Sequence, residues 1–478
     1  MSKTTNIKSK AIGLKNGIKE SDRLYEKAKQ VIGSGTNTFS RAPGVFPIGV
    51  SPKFLDKQDG CHTWDVDGNE YIDMVMGCGP VTLGHNHPVI NKAIKDQMDK
   101  GGILYSMLNP LEVEVAEKLI DVIDCAEMVK FSKNGSDVCA ASVKLARHVT
   151  GRDIIFQWGY HGFQDWYIGA TDRNAGVPKA VRDLTITFDY EDTDKLREMF
   201  QKYKGQVAAI VMEPVIGQRQ LCSNLSSEQC RDFPENSYGP CNNCAQKQIL
   251  EEIKNIAHEN GALLIFDEMI SGFRFSMGGA GKYFGVSPDL ATFGKGITNG
   301  MPLGVLVGKK EYMQHFDKVF LSSTYAPEAL TLAAASANID FYIENNVIDD
   351  LWKKGTYIDN NFQKVIEKYN LSKNVSLAGY SVRLMVNTHG DDGLQDPKLA
   401  TLYQQEMFRN GILCFSGVLM LSYALNDSDL ELIVDAFDST CKVIKEALDS
   451  GKPIDDYLEG PPGAPVFKGL RERNAVSN

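Results

Sequence analysis

The apolar positions of this chain change period along its length. Near the N-terminus a helical spacing runs through Leu24, Ala28, Val31 and Ile32, with Ser21 as the expected cap and a stop at Gly33–Gly35. The first 20 residues read as a mobile tail. "KFLDKQDGCHTWDVDGNEYIDMV" then alternates around Asp59-Gly60 and Asp67-Gly68, the pattern of a β-meander. From about residue 110, helices alternate with short apolar runs. "LEVEVAEKLIDVI" is helical and "MVKF" is a strand. "SDVCAASVKLARHV" is a helix with Val138, Ala141, Leu145 and Val149 on one face. "DIIFQW", "LTITF", "VAAIVMEPV", "ALLIFDEM" and "LGVLVG" read as buried strands. Strands alternating with helices predict a mostly parallel sheet covered on both faces. Beyond about residue 325, "PEALTLAAASANIDFYIEN" and "VIDDLWKKGTYIDNNFQKVIEKY" are long helical patterns, with a final helix near 428–449. "EGPPGAPVFKGLRERNAVSN" reads as an extended or disordered arm.

Composition narrows the class. Apolar residues at 43% and charged residues at 23% fit a globular protein large enough for several cores. Lysine plus arginine number 51 against 61 acids, a net charge of −10. That balance argues against nucleic-acid partners and against a basic membrane-binding face. No run approaches the ~18–20 apolar residues of a membrane span. The N-terminus is polar and lysine-rich, unlike a secretory signal, so the expected location is cytoplasmic. Of ten cysteines, Cys61, Cys78, Cys125, Cys139, Cys414 and Cys441 are scattered, as free thiols in a reducing compartment can be.

Three features carry chemistry. The run "ALLIFDEM" ends in Asp267-Glu268, and in parallel sheets ligands gather at the carboxyl ends of strands. Gly135-Ser136 opens a helix directly after "MVKF", where backbone amides and the helix dipole attract anions; the plain alternative is that Ser136 or Asp137 only caps that helix. Lys295 stands between glycines in "ATFGKGITNGMPLG", and its spacing is wrong for a nucleotide phosphate loop. Flanking glycines leave room for a lysine that forms a Schiff base. An amine, a carboxylate for a pyridine nitrogen and a helix end for a phosphate are the parts of a pyridoxal 5′-phosphate site. "QWGYHGFQDW" offers Tyr160 or His161 to stack on the ring.

In order along about residues 25–445 come "TWDVDGNEYID", "GPVTLGHNHP", "NGSDV", "YHG", "AGVPKAV", "MEPV", "LLIFDEMISGFR", "PDLATFGKGITNGMPLG" and "SSTYAPEALTLAA". This series resembles the class-III pyridoxal-phosphate-dependent aminotransferases, most closely their glutamate-1-semialdehyde 2,1-aminomutase branch. The resemblance implies an α/β protein of fold type I. A large domain with a mostly parallel central sheet would span residues 76–325. Residues 1–75 and 326–450 would form a smaller α+β domain, with 451–478 as a tail. It implies a homodimer acting on small amines and carbonyl compounds, by a ping-pong aminotransferase reaction or, alternatively, by intramolecular aminomutase transfer. Lys295 would be the Schiff-base lysine and proton shuttle, and Asp267 the partner of the pyridine nitrogen. Gly135 and Ser136 would bind the phosphate, Tyr160 would stack on the ring, and Glu213 would belong to the same site. Thr324 would reach the neighbouring subunit's phosphate, and Arg41 would bind a substrate carboxylate.

The chain departs from that family in two places. "GILCFSGVLMLSYALND" lacks the aminomutases' phenylalanine–glutamate–alanine–glycine segment, which favours a transaminase. A polar insert, about 217–247, carries Cys222, Cys230, Cys241 and Cys244 as C-x7-C-x10-C-x2-C. Four thiolates could close a tetrahedral structural zinc site; free thiols and disulfides are the alternatives.

Overall fold

The two Asp-Gly turns close the expected meander: β1 (Leu55–Asp59), β2 (His62–Asp65) and β3 (Glu70–Asp73) pair antiparallel in sequence order. The structure, a computed structural model, describes residues 12–215, 244–464 and 466–467. The first helix, Lys19–Val31, starts before Ser21, so Ser21 does not cap it. The cap comes from the meander. Asp67 accepts from Glu20 N (2.7 Å) and Ser21 N (2.9 Å), placing a carboxylate on the helix's positive end. Buried Ser21 instead accepts from Lys53 N (3.1 Å) and Phe54 N (3.3 Å) through its hydroxyl.

The chain divides into two units. The unit Pro88–Asp349, joined by Phe467, is built on a seven-stranded sheet. Its strands are β4 (Met128–Ser132), β5 (Ile154–Trp158), β6 (Thr185–Thr187), β7 (Val207–Met212), β8 (Leu263–Asp267), β9 (Leu290–Phe293) and β10 (Gly304–Gly308). Their order is β4-β10-β9-β8-β7-β5-β6. β10 runs against both neighbours and the other pairs are parallel. Every residue of β7, β8, β9 and β10 is buried, which is why the runs at β7, β8 and β10 read as continuous apolar stretches. The helix Gly135–Thr150 lays Val138, Ala141 and Leu145 against Ala209, Val211, Ile265 and Leu306. β9 was not among the expected strands. The helix Ala329–Glu344 also belongs to this unit.

The other unit joins the chain up to His87 with Asp350–Val466. It contains β11 (Val375–Tyr380), β12 (Arg383–Thr388), β13 (Ile412–Leu413) and β14 (Val418–Met420). β13 pairs in parallel with β3 and extends the meander, while β11, β12 and β14 form a separate antiparallel sheet. The helix Asp427–Asp449 matches the expected last helix and starts at an Asn426–Asp429 capping box. Among the described residues, no helix is long and apolar enough to cross a membrane.

Candidate active site

Parallel strands deliver the candidate residues to one edge of the large sheet. Asp267 is the last residue of β8, and Glu213 follows β7 directly. Tyr160 lies two residues past β5, Lys295 two past β9, and Gly135 three past β4. All five therefore stand at the carboxyl ends of strands, where α/β sheets bind ligands.

Asp267 is buried, and its carboxylate is surrounded by donors. His161 Nδ1 lies 2.7 Å from Oδ2, Cys139 Sγ donates to Oδ2 at 3.5 Å, and Met269 N donates to Oδ1 at 3.1 Å. Burial, reinforced by the Asp267 charge, holds the Cys139 thiol well above its usual pKa, so it stays a proton donor. His161 is buried too. Its Nε2 faces Trp158 O at 3.0 Å, and its ring stacks on Trp166 and meets Tyr167 edge-on. His161 was one of two residues expected to stack on the ring; its own ring is committed to Asp267. The pattern "YHG" marked this turn without assigning the histidine. Cys139 and Met269 carried no sequence signal of their own.

Tyr160 is about half exposed (51%) and rests edge-on against Tyr167 at 5.6 Å. Burial first, then the Asp267 charge, raises its phenol pKa. Its backbone N donates to Glu213 Oε1 at 2.9 Å, so Glu213 fixes the loop that presents Tyr160.

At the start of the helix Gly135–Thr150, Asn134 is the cap and accepts from Asp137 N at 3.0 Å. Ser136 and Asp137 are therefore not the capping residues. The amides of Gly135 and Ser136, nearer the helix end, are not consumed by that cap. Ser136 Oγ accepts from Phe163 N at 3.2 Å, and Gly162 passes so close that any Cβ there would overlap Ser136 Oγ. Gly162 also has φ +100°, which favours glycine.

Lys295 has φ +46°, rare for a residue with a side chain, and opens a short 3-10 turn. Asn338 holds that turn by donating to Gly296 O (3.0 Å) and Ile297 O (3.1 Å). Met269 links the parts: a Cβ on Gly135 would lie 2.8 Å from its sulfur, and one on Gly294 2.7 Å. Beside Asp267, buried Glu268 accepts from Ala280 N (2.8 Å), Gly281 N (2.7 Å) and the Ser271 hydroxyl. Burial nevertheless pushes its pKa up to about 7.

Thr324 lies in an exposed turn of this unit. Arg41 lies in the other unit, where its exposed side chain donates to Gly77 O at 3.2 Å. Cys222, Cys230 and Cys241 lie outside the described residues. Cys244 is buried and precedes the helix Ala245–Glu259. Elsewhere, ligand atoms of Cys61, His62 and Asp429 lie within 4.8 Å of one another. The Asp429 carboxylate there already takes Cys61 Sγ (3.2 Å), His62 Nε2 (3.1 Å) and Asn426 N (3.0 Å).

Residues 47–220 and 241–417 match the family of class-III aminotransferases. The 3-aminobutyryl-CoA aminotransferase of Cloacimonas acidaminovorans is 33% identical over 429 residues, 89% of this chain and 97% of that relative. A glutamate-1-semialdehyde 2,1-aminomutase of Methanococcus maripaludis is 31% identical, covering 88% of this chain and 97% of its own. In fold, the chain is similar to the FumI protein of Sphingopyxis sp. MTA144, with TM-score 0.79, 23% identity and 92% and 99% of the two chains covered. The chain belongs to the class-III aminotransferase family and has the fold of type I pyridoxal-phosphate enzymes. It is a pyridoxal-phosphate-dependent enzyme of the class-III aminotransferase type. The donor set fits that cofactor: a lysine in a glycine-flanked turn, a donor-stabilised buried carboxylate, and a helix end where Gly135 leaves no room for a Cβ.

Proposed function

We propose that this chain moves an amino group between a small amine and a separate carbonyl acceptor, with Lys295 as the catalytic lysine and Asp267 as the acid under the cofactor ring nitrogen. The observation that carries this reading is the buried, donor-surrounded carboxylate of Asp267 at the strand-end edge that also presents Lys295. The bound cofactor supplies an aldehyde to carry the amino group and a ring to take up an electron pair from carbon. Lys295 Nζ would take the proton from the amine-bearing carbon and deliver it beyond the nitrogen, to the carbon that had carried the aldehyde. Asp267 would keep the ring nitrogen protonated; His161, Cys139 and Met269 N orient its carboxylate. Gly135 and Ser136 hold the phosphate, Tyr160 covers a ring face, and Glu213 fixes the Tyr160 loop. Arg41 binds a substrate carboxylate.

Intermolecular transfer is favoured over aminomutase isomerisation because residues 411–424, spanning β13 and β14, contain no acidic side chain. The proposed working form is a homodimer in which Thr324 reaches the partner's phosphate. Exposed Met107 (84%) and Leu108 (87%), beside Val113, supply an apolar face for it. A cytoplasmic location is supported by Cys61, Cys125, Cys139, Cys414 and Cys441, buried thiols that form no disulfide. Cys222, Cys230, Cys241 and Cys244 are proposed to hold a structural zinc; metal analysis with and without Cys241 and Cys244 tests that. A screen of amino donors, each with and without a carbonyl acceptor, tests the function. Turnover that needs the acceptor supports transamination, and product without one supports the aminomutase reading.

A further inference from the structure

The arm beyond the last helix has little core of its own, yet its course is fixed. Lys398, Thr401, Gln405 and Arg409 recur at three- and four-residue spacing and so share one face of the helix Pro397–Arg409. Each grips the arm. Lys398 Nζ pairs with Asp455 at 2.5 Å, Thr401 Oγ1 accepts from Gly463 N at 3.1 Å, and Arg409 pairs with Glu459. Gln405 donates to Tyr457 O and accepts from Glu459 N, both at 2.9 Å. Ala464 N then donates to Gly44 O at 2.9 Å.

Three residues later the chain enters the sheet-bearing unit at Phe467. There the Phe467 ring lies 5.7 Å from the Tyr160 ring, tilted by 51°. Such a pair lies within the 4.5–7 Å range of attractive aromatic contacts. Phe467 lies beyond the family match, which ends at residue 417.

We propose that Phe467 forms an apolar wall of the amine site beside Tyr160, and that it selects donors whose reacting carbon bears an apolar or aromatic group. This rests on the reading that Tyr160 covers the cofactor ring. A group on that carbon projects away from the ring atoms, and an aromatic side chain beside Tyr160 offers it a dry surface. Losing such a surface slows apolar donors by about tenfold or more and leaves small donors nearly unaffected.

The test uses the full-length holoenzyme and follows the donor half-reaction by loss of the cofactor's visible absorbance, so no acceptor is needed. Alanine and 1-phenylethylamine serve as donors for wild type, Phe467→Ala and Phe467→Leu. Cofactor affinity is measured in parallel by quenching of tryptophan fluorescence. The expected result is a drop of about tenfold in the 1-phenylethylamine-to-alanine rate ratio for Phe467→Ala, largely restored in Phe467→Leu, with cofactor affinity unchanged. Three results overturn the proposal: an unchanged ratio, a wild type that uses alanine but not 1-phenylethylamine, or equal slowing of both donors with weakened cofactor binding. If wild type binds no cofactor at all, the site reading fails and the proposal falls with it. Cofactor binding with an unchanged ratio removes the proposal alone.

Discussion

His161 Nδ1 lies 2.7 Å from Asp267 Oδ2, and both side chains are almost completely buried. A buried carboxylate loses stabilisation when a donor is removed, because water cannot take the donor's place. His161→Phe is therefore expected to lower kcat/KM by about 10–100-fold, the loss of a hydrogen bond to a charged group. His161→Asn, which keeps an amide donor, should lose less. Steady-state kinetics on the two variants check this; equal loss in both would mean that packing, not the hydrogen bond, is what His161 supplies.

Gly135 and Gly294 converge on the sulfur of Met269. Gly135→Ala would put a methyl group 2.8 Å from it and displace the helix start proposed to hold the phosphate. Cofactor affinity should fall by about tenfold, roughly 1.4 kcal/mol. Adding Met269→Ala should recover part of that loss, because the two changes share one contact. A cofactor titration of the four proteins measures the coupling. Strict additivity would contradict the proposed crowding.

Glu268 gives stability a pH dependence of defined sign. Its folded pKa, raised by burial to about 7, exceeds the ordinary glutamate value of 4.5. Between those values the folded protein holds a proton that the unfolded chain has released, so stability falls as pH rises and levels off above pH 7. The upper bound on this contribution is about 3 kcal/mol. Glu268→Gln carries no such charge, so its stability relative to wild type should rise between pH 5 and pH 8. Urea midpoints at the two pH values test this, and a constant difference would count against it.

Met107 and Leu108 stand out into solvent on the sheet-bearing unit. If they line the proposed dimer face, Met107→Asp combined with Leu108→Asp should halve the mass seen by light scattering and sharply reduce activity. A monomeric wild type, or a charged variant that remains a full dimer, contradicts that assignment.

Much of this fold is legible locally. The strands ending at Trp158, Met212 and Asp267 are long apolar runs, and the helix Gly135–Thr150 shows its buried face through period alone. β9 was not, because Leu290–Phe293 is only four residues long and stops at the glycine before Lys295. The start of the Lys19–Val31 helix was set too late because its cap, Asp67, is supplied by the meander. Likewise, Asp267 and Lys295 could be chosen from their neighbours in sequence, whereas His161 and Cys139 reach Asp267 across 106 and 128 residues. Local pattern marks which residues end strands; which donors meet there depends on strand order.

The central claim is that Lys295 holds the cofactor. Borohydride treatment of the cofactor-loaded protein, followed by peptide mass analysis, tests it most directly. The account predicts that wild type loses its visible absorbance band and gains the reduced cofactor's mass on the peptide containing Lys295, while Lys295→Ala shows neither the band nor the adduct and no turnover. An adduct on another lysine, or a Lys295→Ala variant that keeps the band and transfers amino groups at the wild-type rate, would contradict it.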